Sequence, residues 1–255
     1  MKLPFWVALL GVSLCSAEDP RITTLIQSGD AEVRGGHHQA ALAYFRSAES
    51  IEKSHLPLLL RLAEQSADLV DSTKPPAAAM ALARDSLAYA HRALALDSQS
   101  PKAHLRVAVA YGKLVDFVGN RTKIEYSKKI REEVEQTIKL DPTEHFAWYI
   151  LGRWEAGVAD LSGVLRFFAK IVYGGLPTAS NQTALQCLQK ATNLAPHQII
   201  YQAELARLYE KLGDLSSAIV HWKIIATLPS TDATDDAEKV LAKKSLAAAR
   251  PDASP

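Results

Sequence analysis

Cysteine is nearly absent from this 255-residue chain, which has only Cys15 and Cys187. At most one bridge can form, so no disulfide framework is available and the fold must rest on a buried apolar core. Cys187 shares a helical face with Ala184, Leu188 and Ala191, and is expected to be a buried small residue. A charge excess is also missing. Lys and Arg total 29 against 28 Asp and Glu, a net charge of +1, which gives no global attraction to nucleic acid or to an anionic membrane. No glycine-rich phosphate loop, dinucleotide fingerprint or nucleophile elbow occurs. None of the eight histidines sits in a His-Glu-x-x-His motif, and the adjacent His37 and His38 would diverge on a helix. No catalytic residue, metal ligand or cofactor is therefore expected. Gly and Pro number 12 each, too few for a large disordered region.

Ala and Leu dominate and β-branched residues rarely cluster, which favours helix. The first residues form a separate segment. Lys2 gives a positive start, Leu3 to Leu14 is almost wholly apolar, and Cys15-Ser16-Ala17 supplies small residues for cleavage. The apolar stretch, about 12 residues, is shorter than the roughly 20 that span a bilayer as a helix. Residues 1–17 are read as an export signal, which makes the protein periplasmic or secreted; a cytoplasmic or mitochondrial location is the alternative. The mature chain would then carry 28 basic and 28 acidic residues and Cys187 alone.

A spacing organises the rest. Leu194 and Leu228 lie 34 residues apart, each at a helix-like end followed by proline, and between them run Tyr201, Leu205, Ala206, Tyr209, Gly213, Ala218 and Trp222. This order of large, small, aromatic and glycine positions is the pattern of the tetratricopeptide unit, a helix pair repeating every ~34 residues. Leu96 and Leu140 close equivalent segments, so the successive steps are 44, 54 and 34 residues, and two units carry inserts of about 10 and 20 residues. The expected fold is all-α, a tetratricopeptide-like array over residues 18–249. It has about five helix pairs, an insert in the fourth, a capping helix near Asp235 to Ala249, and a frayed tail over residues 250–255. The pairs are placed at Arg21 to Val33 with the segment of Ala41 and Phe45, at His55 to Val70 with Ala77 to Leu96, and at Lys102 to Val118 with Glu125 to Leu140. A fourth joins the Trp148 helix to Gln182 to Leu194, and a fifth joins His197 to Lys211 with Ser216 to Ala226. Gly119-Asn120 reads as a helix stop, and the fourth-pair insert is expected to lengthen the first helix of that pair.

Such an array holds a partner in a groove lined by the first helix of each pair. The register nominates Lys102, Val109, Phe146, Tyr149, Arg153, Ile200, Ala203, Arg207 and Lys211. Arg153 and Arg207 fall at equivalent places in successive units. They are read either as a pair that grips a carboxylate or phosphate, or as partners of Glu155, Glu204 or Glu210. Residues 113–131 carry a local excess of +4, read either as a surface for acidic tails and lipid headgroups or as a solvated helix face. In the insert, Leu161, Leu165, Phe168 and Val172 fall near helical spacing and either line a lipid-holding cavity or pack on neighbouring helices. Asn120-Arg121-Thr122 and Asn181-Gln182-Thr183 match the glycosylation sequon, relevant only in a eukaryotic host.

Leu151-Gly152-Arg153-Trp154, followed by the long insert and Tyr173-Gly174-Gly175-Leu176-Pro177, resembles the regulator of microtubule dynamics family. So do Thr137 to Pro142 and Leu208 to Asp214. The resemblance runs from about residue 25 to 247. It implies a helical domain without catalytic activity. The family implies as partners microtubules, mitochondrial membranes or a held phospholipid, and the groove adds a protein or peptide. An exported member would never meet tubulin, so microtubules are a partner only for an intracellular chain.

Overall fold

The computed structural model describes residues 19–162 and 175–249. The described residues form eleven α-helices and one short 3-10 turn, with no strand among them. The chain divides into two compact units, the first ending at Lys53 and the second starting at Ser54.

The first unit holds α1 (Pro20–Arg34) and α2 (His38–Ile51). Asp19 caps α1, and Pro20 occupies its first turn, where a missing N–H breaks no bond. Gly36, at φ 75°, ends α1. The bonds His37 N–H to Glu32 carbonyl (2.9 Å) and Gly36 N–H to Val33 carbonyl (3.0 Å) close a Schellman turn. Ile22 and Ile26 face Ala41, Leu42, Phe45 and Ala48 in the core of this pair.

The second unit contains four pairs and a final helix. They are α3 (Leu56–Asp68) with α4 (Pro76–Leu96), and α5 (Pro101–Leu114) with α6 (Asn120–Leu140). Then come α7 (His145–Ala159) with α8 (Asn181–Leu194), α9 (Ile199–Lys211) with α10 (Leu215–Thr227), and α11 (Ala233–Ala248). Ser100, Ser180, Asp214 and Asp232 cap their helices through backbone N–H groups in the first turn. The repeat equivalence shows in the backbone. Asp97, Asp141 and Ala195 leave α4, α6 and α8 at similar φ, −146°, −138° and −137°, the two aspartates in extended conformation. The first two then accept the N–H of the residue two positions on, both at 2.9 Å. Gly213, at φ 80°, repeats the turn of Gly36 between α9 and α10.

Two expectations need correction, and the shorter insert finds its place. The shorter insert goes into length: α6 has 21 residues against 14 in α8 and 13 in α10. Gly119-Asn120 opens that helix instead of stopping one, because the 3-10 turn Val115–Phe117 joins α5 to it tightly. The longer insert does not lengthen α7 within the described residues. That helix ends at Ala159, with Asp160 at its C-cap and Leu161 half-buried just beyond. Leu165, Phe168 and Val172, like residues 1–17 and 250–255, lie outside the described residues.

Candidate binding cleft

The interface of α7 with α8 is the most extensive in the second unit. Gly152 makes it possible, since a Cβ there would sit 2.7 Å from Leu188 Cγ. The residues after Gly152 tie three elements together. The Trp154 indole N–H donates to the Ser127 carbonyl (2.8 Å) and hydroxyl (2.9 Å) on α6. Arg131 lies over the Trp154 ring at 4.8 Å. It also donates to the Thr178 carbonyl (3.0 Å) and sits 3.7 Å from Glu155. The Glu155 carboxylate, 3% exposed, accepts the Ser180 N–H at 3.0 Å. The Leu-Gly-Arg-Trp stretch is thus a packing device that fixes α6, α7 and the return segment before α8. Sequence reasoning missed the Ser127 and Ser180 contacts, because they join residues 27 and 25 positions apart.

Between α5 and α7 the array opens. α3 packs against α5, whereas the backbones of α5 and α7 hardly approach one another. The extra turns of α6 and the 3-10 turn wall off the space, leaving a cleft of about 670 Å³. That volume is in the range of small-ligand sites. Helical spacing supplies the walls: Lys123, Ser127 and Ile130 from α6, and Phe146, Tyr149, Ile150 and Arg153 from α7. Val109, Lys113, Asp116, Phe117 and Trp154 complete much of the rest.

The nominated groove residues fall into three settings. Phe146, Tyr149, Arg153 and Val109 line the cleft. Tyr149 is buried within an aromatic stack, its ring 5.7 Å from Phe146 and 4.6 Å from Tyr201, and burial raises its hydroxyl pKa. Ile200 packs on the Tyr149–Tyr201 core, and Ala203 is wholly buried instead of facing a groove. Lys102 is exposed on α5 outside the cleft walls.

Arg153, Arg207 and Lys211 all have partners inside the chain. Arg153 and Arg207 share Glu204, at 3.7 and 3.4 Å, and Arg207 also pairs with Glu238 on α11. Lys211 binds Asp160 and, at 3.1 Å, Asn181, which joins the end of α7 to the start of α8. Much of the basic stretch 113–131 is matched in the same way. Lys113 pairs with Asp71 (2.5 Å), Arg121 with Glu125, Lys129 with Glu132 (2.6 Å) and Arg131 with Glu135 (2.7 Å). Lys123, half-buried in the cleft wall, has no such partner among the described residues.

Several histidines have structural contacts. His55 caps α3, His104 bonds Glu133 (2.6 Å), and His145 bonds the Tyr201 hydroxyl (2.8 Å). Burial lowers the pKa of His221, which lies 2.6 Å from Gln202 and stacks on Tyr209. Cys187 is buried as expected, and burial pushes its thiol up to about 11.

Comparison with known proteins bears on the fold and the family. The solved structures it resembles include a thermophilic tetratricopeptide protein of Thermus thermophilus, with TM-score 0.66 and 17% identity, covering 89% of this chain and 99% of that one. They also include Pseudomonas aeruginosa pilF, with TM-score 0.58 and 16% identity, covering 90% and 89%. At that identity the likeness shows the fold alone. Among curated proteins, regulator of microtubule dynamics protein 3 of Xenopus laevis is 28% identical over 222 residues, 85% of this chain and 48% of the relative. Regulator of microtubule dynamics protein 2 of Bos taurus is 31% identical over 150 residues, 58% of this chain and 36% of the relative. The chain thus spans about half or less of these relatives. The family model for regulator of microtubule dynamics proteins 1-3 matches residues 25–250, and the chain belongs to that family.

Proposed function

We propose that the protein is a non-catalytic binding scaffold that seats a segment of a partner protein in the cleft between α5 and α7. One observation carries this reading: a largely apolar cleft that also carries Lys113, Lys123 and Arg153 opens where the first helices of neighbouring pairs part. Tetratricopeptide-like folds act by holding partners, and the cleft has the size and lining of a binding site. A photoreactive phenylalanine analogue in place of Ile150 is expected to crosslink a bound partner. The same group in place of exposed Leu212, outside the cleft, is expected to give no adduct. Equal crosslinking from both positions would refute the cleft as the seat.

A second reading follows from the relatives. Their name supports an intracellular protein that acts with microtubules. Export through residues 1–17 supports a periplasmic or secreted scaffold instead. Co-sedimentation of the purified chain with microtubules tests the first, and a mature N-terminus at Glu18 in an exported fraction would overturn it. A phospholipid carrier is the third reading, favoured by a lining that combines apolar side chains with Lys113, Lys123 and Arg153. Native mass spectrometry after gentle extraction tests it, and a ligand-free mass would count against it.

A further inference from the structure

We propose that Lys123 and Arg153 form a two-point seat for a side-chain carboxylate, so that the cleft selects an acidic, apolar peptide segment. This rests on the scaffold reading and names the chemistry of its partner. The two cations line the same cleft from different helices. Lys123 lies one turn before Ser127 on α6, Arg153 lies next to Trp154 on α7, and the Trp154–Ser127 bonds lock that register. Lys123 has no partner among the described residues, although its neighbours along the basic stretch are paired. Arg153 is 58% exposed, and its carboxylate contact, Glu204, is at a loose 3.7 Å. Arg207 also holds Glu204, so Arg153 can turn into the cleft without stranding that carboxylate.

Charge decides the class of anion. In the cleft lining, Lys113 is neutralised by Asp71, and Asp116 offsets one of the two remaining cations, so one net positive charge is left when Arg153 leaves Glu204 to Arg207. That balance suits a single carboxylate better than a doubly charged phosphate monoester. Around the seat, Val109, Phe117 and Ile150 offer apolar contact to flanking leucine or phenylalanine side chains.

Two fluorescein-labelled peptides with blocked ends test the seat by anisotropy on the full chain: Leu-Phe-Glu-Leu-Glu-Phe-Leu and its counterpart with Gln at both Glu positions. The Glu peptide is expected to bind about ten-fold tighter, the worth of a charge-assisted hydrogen bond. Lys123→Met and Arg153→Met are each expected to bring it down to the Gln level and to leave the Gln peptide unchanged. Lys123→Glu is expected to reverse the preference toward a Lys-containing peptide, a gain that misfolding cannot imitate. Equal binding of both peptides would overturn the carboxylate seat while leaving the scaffold reading in place. Binding of neither peptide, with capture by phosphatidylcholine vesicles containing phosphatidic acid, would overturn both in favour of a lipid ligand.

Discussion

Gly152 and Gly157 lie on the same helix, α7, and replacing each with alanine should move stability in opposite directions. An added Cβ at Gly152 meets Leu188 Cγ at 2.7 Å, Cδ2 at 2.9 Å and the Leu188 backbone nitrogen at 3.2 Å. Leu188 is 1% exposed and its backbone belongs to α8, so rotation of the leucine alone cannot relieve the clash. The helices must separate along their largest interface. Overpacking of this kind costs about 1–3 kcal/mol, against about 1 kcal/mol gained from alanine's helix propensity. The net is a destabilisation of about 1 kcal/mol. At Gly157 a Cβ meets nothing within 4 Å, and the residue is exposed. Only the propensity term remains there, a stabilisation of up to about 1 kcal/mol. Urea midpoints of the two variants should therefore fall on either side of the wild type. Repeat arrays can unfold in stages, so amide exchange across α7 and α8 should accompany the midpoints. A Gly152→Ala protein as stable as the wild type, with unchanged exchange in α8, would refute the close-packing argument.

Other consequences can be checked directly. Glu155→Ala removes the acceptor for the half-buried Ser180 N–H and one carboxylate near Arg131, a loss of about 1–3 kcal/mol. Glu155→Gln, which keeps an acceptor, should lose less by urea denaturation, with faster exchange at Ser180 in both. In a Cys15→Ser chain, Cys187 should react with a thiol reagent at mildly alkaline pH only as fast as the protein opens, because burial holds its pKa at about 11; rapid labelling of the folded state would contradict that. Burial lowers the pKa of His221, so the unfolded chain takes up that proton more readily. The stability His221 provides should be complete above its ordinary pKa of about 6.5 and decline as pH falls through and below it. His221→Gln should show a shallower decline than the wild type in urea midpoints measured across that window.

The helices were largely readable because the order of small, aromatic and glycine positions recurs along the chain, and their starts are also set locally. Ser100, Asp214 and the prolines at 20, 57, 76 and 101 start helices by contacts within their own turns. The connection after α5 was misread because Gly119-Asn120 suits either side of a helix boundary, and only the 3-10 turn decides which. A small part of the cleft wall also follows from the sequence. Phe146, Tyr149 and Arg153 follow from register on α7, whereas Lys123, Ser127 and Ile130 on α6 do not. Their exposure depends on α5 and α7 standing apart, which is a property of packing and not of either helix.

By itself the sequence determined the helical repeat, its family and the buried state of Cys187, since periodicity, caps and motif order are encoded within short stretches of chain. Only the tertiary structure decided which charges remain available. In one dimension Arg153 and Arg207 read either as a pair gripping a ligand or as partners of nearby glutamates, and folding brings Glu204 to both and Glu238 to Arg207. Lys123 looked like one more residue of a solvated basic run, yet folding leaves it without a partner among the described residues in a cleft wall. Ion pairing falls off over a few ångströms, and such distances between helices are set by packing, of which the chain order carries no direct record.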